Sequence, residues 1–123
     1  MRKTTLIFLL SLIFVLGANA KYTQTCKAKY KRDYGWSQYY SLDITFMSGV
    51  ELNKATKTYK YNSYSTYAII FWDKDEASII KLSSYTGCGS EVKQSCITNK
   101  VTNLVGEDQQ GKTWEICTRA NCY

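Results

Sequence analysis

Residues 68–82 read AIIFWDKDEASIIKL, and this stretch decides the fold class. Residues 68–72 are the most apolar run after the N-terminal segment, which predicts a central strand. Residues 73–76 are all charged and predict a turn, while residues 77–82 are again rich in apolar side chains. The pattern predicts a β-hairpin at the centre of an antiparallel sheet.

The segment before this hairpin predicts another strand followed by a short helix. Residues 41–47 alternate apolar and polar side chains, as expected of a strand against a core. The sequence SGVE at residues 48–51 matches a capping box, in which a serine hydroxyl and a glutamate carboxylate satisfy free amides at a helix start. We therefore expect a helix over residues 49–56 that covers one edge of the sheet.

The segment near the C-terminus predicts a second hairpin. Residues 101–107 and 112–117 are separated by a polar turn that ends in Gly111, a residue type suited to left-handed turn positions. Together the segments predict an α+β fold, mainly β: a small antiparallel sheet of about five or six strands with one short helix, stabilised by disulfides. The expected core consists of Leu42, Ile44, Phe46, Leu52, Ile69, Phe71, Ile79, Trp114 and Ile116.

The first twenty residues have the three parts of a secretory signal peptide. Arg2 and Lys3 precede an apolar run over residues 6–16, and small residues follow up to Ala20. The apolar run is shorter than the roughly 20 residues that a membrane-spanning helix needs. We therefore expect cleavage after Ala20 and export of residues 21–123 as one small β-rich domain, secreted or periplasmic, with no transmembrane anchor.

All five cysteines lie in the exported part, where an oxidising compartment favours two bridges and one leftover thiol. Cys88 and Cys96 flank a short loop that contains glycine, and we expect them to pair. The second bridge stays open at this point: Cys117 can close on Cys122, or Cys26 can tie the N-terminal segment to either of them. The leftover thiol can also join two chains.

Missing residues exclude several classes of activity. The chain has no histidine and no Cys-x-x-Cys pair, so we expect no zinc site and no other metal or cofactor. The lack of histidine also removes Ser-His-Asp and Cys-His catalysis. The remaining candidates are carboxylates in two predicted turns: Asp73, Asp75, Glu76, Glu107 and Asp108. No catalytic residue is assigned, and we expect a protein that is not an enzyme, with a small carboxylate-based hydrolase as the less favoured alternative.

One segment combines cations with aromatic rings and is the candidate ligand-binding site. Its residues are Lys27, Lys29, Tyr30, Lys31, Arg32, Tyr34 and Trp36. Cations that alternate with rings suit phosphates or acidic sugars together with stacking. The alternative is that the lysines keep an exposed edge strand from pairing with another sheet. The tyrosines of residues 59–67 are a second candidate, either for a glycan or protein partner or for packing within the sheet.

Charge and architecture set the expected function. The formal net charge is +6, and loss of Arg2 and Lys3 with the signal peptide reduces it to +4. In size, export signal and disulfide-containing β-rich chain, the protein resembles the small periplasmic lysozyme inhibitors of bacteria. Residues 84–87 read Ser-Tyr-Thr-Gly and differ from the Ser-Gly-x-x-Tyr motif of that family, so no residue or activity is carried over.

We expect a small exported, non-enzymatic binding protein of the cell envelope or extracellular space, of the inhibitor or immunity type, with a protein partner. The alternative is a module that binds an anionic glycan or other surface polymer through residues 27–36. Nucleic acid is not an expected partner, because the chain is exported.

Overall fold

The computed structural model describes residues 22–72, 76–83, 86–100, 102–119 and 122, and the predicted signal peptide lies outside them. The elements in chain order are β1 (Tyr22–Arg32), β2 (Gly35–Trp36), β3 (Tyr40–Ser48), α1 (Gly49–Thr56), β4 (Thr66–Trp72), β5 (Glu76–Leu82), α2 (Gln94–Thr98), β6 (Leu104–Glu107) and β7 (Thr113–Cys117). The expected α+β class, mainly β, is confirmed. The described residues contain more strands than expected and a second short helix.

The strands form a sheet that closes on itself. Their order is β2-β1-β3-β4-β5-β6-β7, β7 also pairs with β1, and every pairing is antiparallel. Closure depends on β1, which pairs with β3 between Tyr22 and Ala28 and with β7 between Lys27 and Tyr30. The interpretation of β1 as an edge strand protected by its lysines is therefore wrong, because its centre is hydrogen-bonded on both sides.

Gly106 marks a close approach of two strands in this ring. It lies opposite Leu82 on β5 and Trp114 on β7. A Cβ atom at this position would lie 2.3 Å from the backbone oxygen of Lys81. Glycine is therefore needed for β5 and β6 to pair at this distance.

The main core lies inside the closed sheet, where alternate residues of the strands point inward. Two residues outside the strands are buried against the same core: Val92 in the loop before α2, and Ile97 in α2. The strand residues of this core are Cys26, Ala28, Ile44, Phe46, Ala68, Ile70, Ile80, Leu82, Leu104, Trp114 and Ile116.

Helix α1 packs on the outer face of the sheet and has the predicted bounds, Gly49–Thr56. The predicted capping box is present: the Ser48 hydroxyl accepts from the Glu51 amide at 3.0 Å, and the Ser48 amide donates to the Glu51 carboxylate at 2.9 Å. A second buried cluster lies under the helix and consists of Met47, Leu52, Ala55, Tyr67, Ile69, Ala77 and Ile79. The sheet is therefore buried on both faces where β3, β4 and β5 meet.

Two disulfides are present, and one of them is the expected Cys88–Cys96 pair. The second joins Cys117 to Cys122. The alternative bridge from Cys26 is therefore wrong, since both of its possible partners are bonded to each other, and the register of β1 and β7 places Lys27, not Cys26, opposite Cys117. Cys26 is instead a buried free thiol.

The environment of Cys26 keeps its thiol protonated. Burial in the core, together with the negative charge of Asp43, raises the pKa of this thiol to about 12. Only 3% of the residue is exposed, so a thiol on a second chain cannot reach it in the folded protein.

The predicted core is correct with two exceptions. Phe71 is 39% exposed, although Ile69 on the same strand is fully buried. Both side chains lie on the outer face of β4, but the cluster under α1 includes Ile69 and not Phe71. Leu42 is only partly buried. The predicted central hairpin is confirmed as β4 and β5; of its expected turn, residues 73–75 lie outside the described residues and Glu76 begins β5.

Candidate binding surface on β1 and β2

The outer face of β1 carries the three lysines of the basic segment. Cys26 and Ala28 are buried inside the ring, and the alternating residues Lys27, Lys29 and Lys31 lie on the opposite face. Lys27 and Lys31 are exposed and Lys29 is half-buried. The two-residue period of the sequence thus corresponds to two faces of one strand.

A tight turn brings a tryptophan to the same face. Asp33 and Tyr34 form the turn, and Gly35 follows with a φ of 116°, a conformation that other residues rarely adopt. The register of the hairpin then sets Trp36 opposite Lys31. Directly opposed residues of an antiparallel pair share a face, so Trp36 joins the lysines. We call this face the β1–β2 surface; its members are Lys27, Lys29, Lys31 and Trp36.

Lys29 organises the aromatic part of this surface. Its Nζ lies 5.2 Å from the centroid of the Trp36 ring and 4.8 Å from that of Tyr39. These are cation–π distances. The Tyr39 hydroxyl in turn accepts a hydrogen bond from the Asn103 amide at 3.3 Å. The Trp36 ring is held in place in this way, although 41% of the residue remains exposed.

Cations outnumber carboxylates around the β1–β2 surface. Glu115 on β7 lies opposite Lys29 and accepts a hydrogen bond from Asn103, whose carbonyl accepts from Arg119 at 2.9 Å. Asp43 on β3 accepts a hydrogen bond from a threonine hydroxyl of β1 at 2.6 Å. Three lysines and Arg119 therefore lie near three carboxylates: Glu115 and Asp43, which have hydrogen-bond partners, and the exposed Asp33 of the hairpin turn.

Two residues of the predicted segment lie elsewhere. Tyr30 belongs to an aromatic group at one end of the ring, where its centroid is 5.3 Å from that of Trp114 and 6.2 Å from that of Tyr40. Lys112 and Arg32 lie over the Tyr30 ring, at 4.5 and 5.6 Å from its centroid. Tyr30 and Arg32 alternate with the lysines along β1, so they lie on the other face of the strand and are not part of the β1–β2 surface.

Tyr34 is at the tip of the hairpin and is completely exposed. It is next to the β1–β2 surface in sequence, but no contact fixes its ring against Lys29 or Trp36 among the described residues. The structure therefore brings together four of the seven predicted residues.

Comparison with known proteins adds nothing to this description. No family model, curated protein or solved structure matches the chain. The function is therefore argued from the geometry of the surface.

Of the carboxylates considered for catalysis, Asp108 has a structural role. Asp108 accepts from the Trp114 indole at 3.0 Å and from two backbone amides of its own turn at 2.9 and 3.0 Å. Glu107 is exposed on β6, and Asp73 and Asp75 lie outside the described residues. Within the described part of the chain, no three His, Cys, Asp or Glu side chains are grouped so that they could hold a metal ion.

In the same part of the chain, no helix has the length and apolar character required to cross a membrane.

Three residues around the β1–β2 surface were missed from the sequence. Tyr39 is one of many tyrosines, and Asn103 and Arg119 are far from β1 along the chain. Asn103 and Arg119 reach the surface only because β7 pairs with β1. A non-local pairing of this kind leaves no local pattern by which they could have been found.

Proposed function

We propose that this chain is an exported, non-catalytic binding protein that holds an anionic glycan on its β1–β2 surface. The observation that carries the proposal is the placement of Lys27, Lys29 and Lys31 on one face with the partly exposed Trp36. Acidic sugars present negative groups beside flat, apolar ring faces. Ammonium groups next to an exposed indole complement both features.

The spacing of the lysines supports a repeating ligand. Alternate residues of a strand follow one another at about 6.7 Å, so the three lysines form a row along β1. A single exposed ion pair contributes only about 0 to 1 kcal/mol, and salt screens it. A polymer with charges on successive units can meet several lysines of the row at once, which raises its total affinity.

Two further features agree with this proposal. Both disulfides are compatible with an oxidising compartment, where surface glycans of the cell envelope are found. The signal-like N-terminus predicts delivery to that compartment.

The test is retention of the oxidised protein without residues 1–20 on columns of dextran sulfate and of uncharged dextran. We expect retention on dextran sulfate alone and release by NaCl. The variant Lys27→Gln/Lys31→Gln should elute at lower salt, because both side chains are exposed. The variant keeps Lys29, since this residue also packs against two rings.

A matched control removes the same charge elsewhere. Lys81 on β5 and Lys93 before α2 are both exposed, so Lys81→Gln/Lys93→Gln should elute close to the unmodified protein. By the counterion-release relation for polyanions, loss of two contacts lowers the slope of log affinity against log salt by about two. Equal elution of the two variants would contradict the proposal.

A second experiment distinguishes a glycan ligand from a protein ligand. Affinity capture from envelope and secreted extracts should yield polysaccharide that salt releases. Recovery of one protein at a fixed stoichiometry, resistant to salt, would replace the glycan by a protein partner of the inhibitor type.

A further inference from the structure

A second cationic aromatic surface lies at the C-terminal end of α1. The helix ends at Thr56, and Lys57 follows in the left-handed conformation with a φ of 56°. The amides of Lys57 and Thr58 both donate to the carbonyl of Asn53, so the chain turns sharply back along the helix. We call the resulting group the helix-end surface; its members are Val50, Lys54, Lys57 and Tyr59.

Hydrogen bonds hold this turn against the helix and leave Tyr59 outside. The Asn53 side chain donates to the Tyr61 carbonyl at 2.8 Å and accepts from the Tyr61 amide at 2.9 Å. The Tyr61 ring packs edge-on against Tyr67, with centroids 5.4 Å apart. Tyr61 and Tyr67 are therefore structural, whereas Tyr59 is 97% exposed. Of the tyrosines singled out in the sequence, Tyr59 and the 92% exposed Tyr64 are thus available to a ligand, and Tyr59 belongs to the helix-end surface.

An open cavity of about 440 Å³ lies between the helix end and the turn. Val50 provides an apolar wall, Tyr59 a ring, and Lys54 and Lys57 two ammonium groups. The acidic residue of the helix, Glu51, lies in the first turn, where it bonds the N-cap residue Ser48. The cavity therefore has positive charge beside apolar surface, the combination found at the β1–β2 surface.

The two surfaces are built on different elements of the fold. α1 lies over Met47, Ile69 and Ile79, on the outer faces of β3, β4 and β5. The lysines of the β1–β2 surface lie outside β1, which is next to β3 and β7 in the closed ring. Along β3, Ser41 lies opposite Lys27 and Ser48 is the N-cap of α1, so the helix starts at the other end of the β1–β3 pair from the row of lysines. The helix-end surface shares no residue with the β1–β2 surface and is a separate site.

We propose that the helix-end surface is a second site for the same anionic glycan and that the protein bridges two glycan chains. This inference rests on the proposed function, because it assigns a second site of the same ligand chemistry. Charge complementarity selects the occupant: two lysines line the cavity, and no carboxylate is among the described residues that line it.

The test is light scattering of the oxidised protein mixed with dextran sulfate. A protein with two sites cross-links the polymer, so scattering should rise to a maximum and fall again when excess protein saturates each chain. The variant Lys54→Gln/Lys57→Gln should still be retained on the dextran sulfate column through the β1–β2 surface, but its scattering maximum should drop at least several-fold. The variant Lys27→Gln/Lys31→Gln should elute at lower salt and should also have a lower scattering maximum. The control Lys81→Gln/Lys93→Gln should keep both properties.

Each other outcome overturns the inference in an identifiable way. Unchanged scattering by Lys54→Gln/Lys57→Gln, with retention still dependent on Lys27 and Lys31, would leave the proposed function intact and refute the second site. That result would also arise if bridging came from a dimer with one site on each chain. An equal drop of the scattering maximum for the Lys81→Gln/Lys93→Gln control would show that overall charge, and not the helix-end surface, causes the effect. Absence of retention of the unmodified protein would remove both proposals.

Discussion

Replacement of both Cys88 and Cys96 by alanine isolates the contribution of one cross-link. The bridge closes the segment that buries Val92 and Ile97 against the main core. This segment is also attached to α1, because the hydroxyl of the N-cap residue of that helix donates to the Ser90 carbonyl at 2.7 Å. Those contacts remain in the double variant. The change in stability therefore reports the cross-link itself.

The expected loss follows from the sequence separation of the paired cysteines. Cys88 and Cys96 are 8 residues apart, and Cys117 and Cys122 are 5 apart. In the chain-entropy model these loops correspond to about 2.5 and about 2 kcal/mol of stabilisation. For a domain of this size, 1 kcal/mol shifts the melting temperature by roughly 4 to 8 °C, so loss of the first bridge should lower it by about 10 to 20 °C.

The assay is urea unfolding followed by tryptophan fluorescence, with linear extrapolation of the free energy of unfolding to water. The matched variant Cys117→Ala/Cys122→Ala should lose slightly less than Cys88→Ala/Cys96→Ala. A loss below about 0.5 kcal/mol for the longer loop would refute the entropic argument and show that packing of Val92 and Ile97 alone restricts this segment.

Two other changes test the closed sheet and its buried thiol. Gly106→Ala should lower the free energy of unfolding by about 1 to 3 kcal/mol in urea denaturation, because its Cβ would overlap the Lys81 carbonyl. The control is Val105→Ala at the exposed neighbouring residue, which should stay within about 0.5 kcal/mol of the unmodified protein. Equal effects of the two changes would contradict the close approach of the strands. The raised pKa of Cys26, about 12 against an ordinary 9.0, means that above pH 9 the unfolded chain releases a proton that the folded chain keeps. The free energy of unfolding should therefore fall as pH rises from 9 towards 12. At pH 10 the fall should be about 1 kcal/mol larger than for the variant Cys26→Ala. The same pH dependence in both proteins would exclude this linkage.

Local signals were sufficient for the elements whose stabilising contacts are local. The central hairpin follows from two apolar runs around a charged turn, and α1 follows from the capping box formed by Ser48 and Glu51. The exposure of Phe71 did not follow, because a two-residue period separates the faces of a strand but does not say how far a covering helix extends along one of them.

The β1–β2 surface was predictable from the sequence only where its residues are close together along the chain. The alternation of residues in β1 was enough to place Lys27, Lys29 and Lys31 on one face, and the turn before Gly35 added Trp36. The contributions of Asn103 and Arg119 depend on the pairing of β1 with β7, which joins distant parts of the sequence. The helix-end surface depends on a left-handed residue, Lys57, at a position where glycine is the usual signal.

The pairing of β1 with β7 also determines the order in which this protein can fold. β1 is synthesised before its partner β7, which ends at Cys117. Contacts between distant segments form slowly, because the intervening chain must be ordered before they are made. Until β7 arrives, β1 and β6 both present unpaired backbone groups to other chains, a state prone to aggregation. A chain that still lacks residues 113–117 therefore cannot close its sheet, and the edges of β1 and β6 stay open to other chains until the last strand is in place.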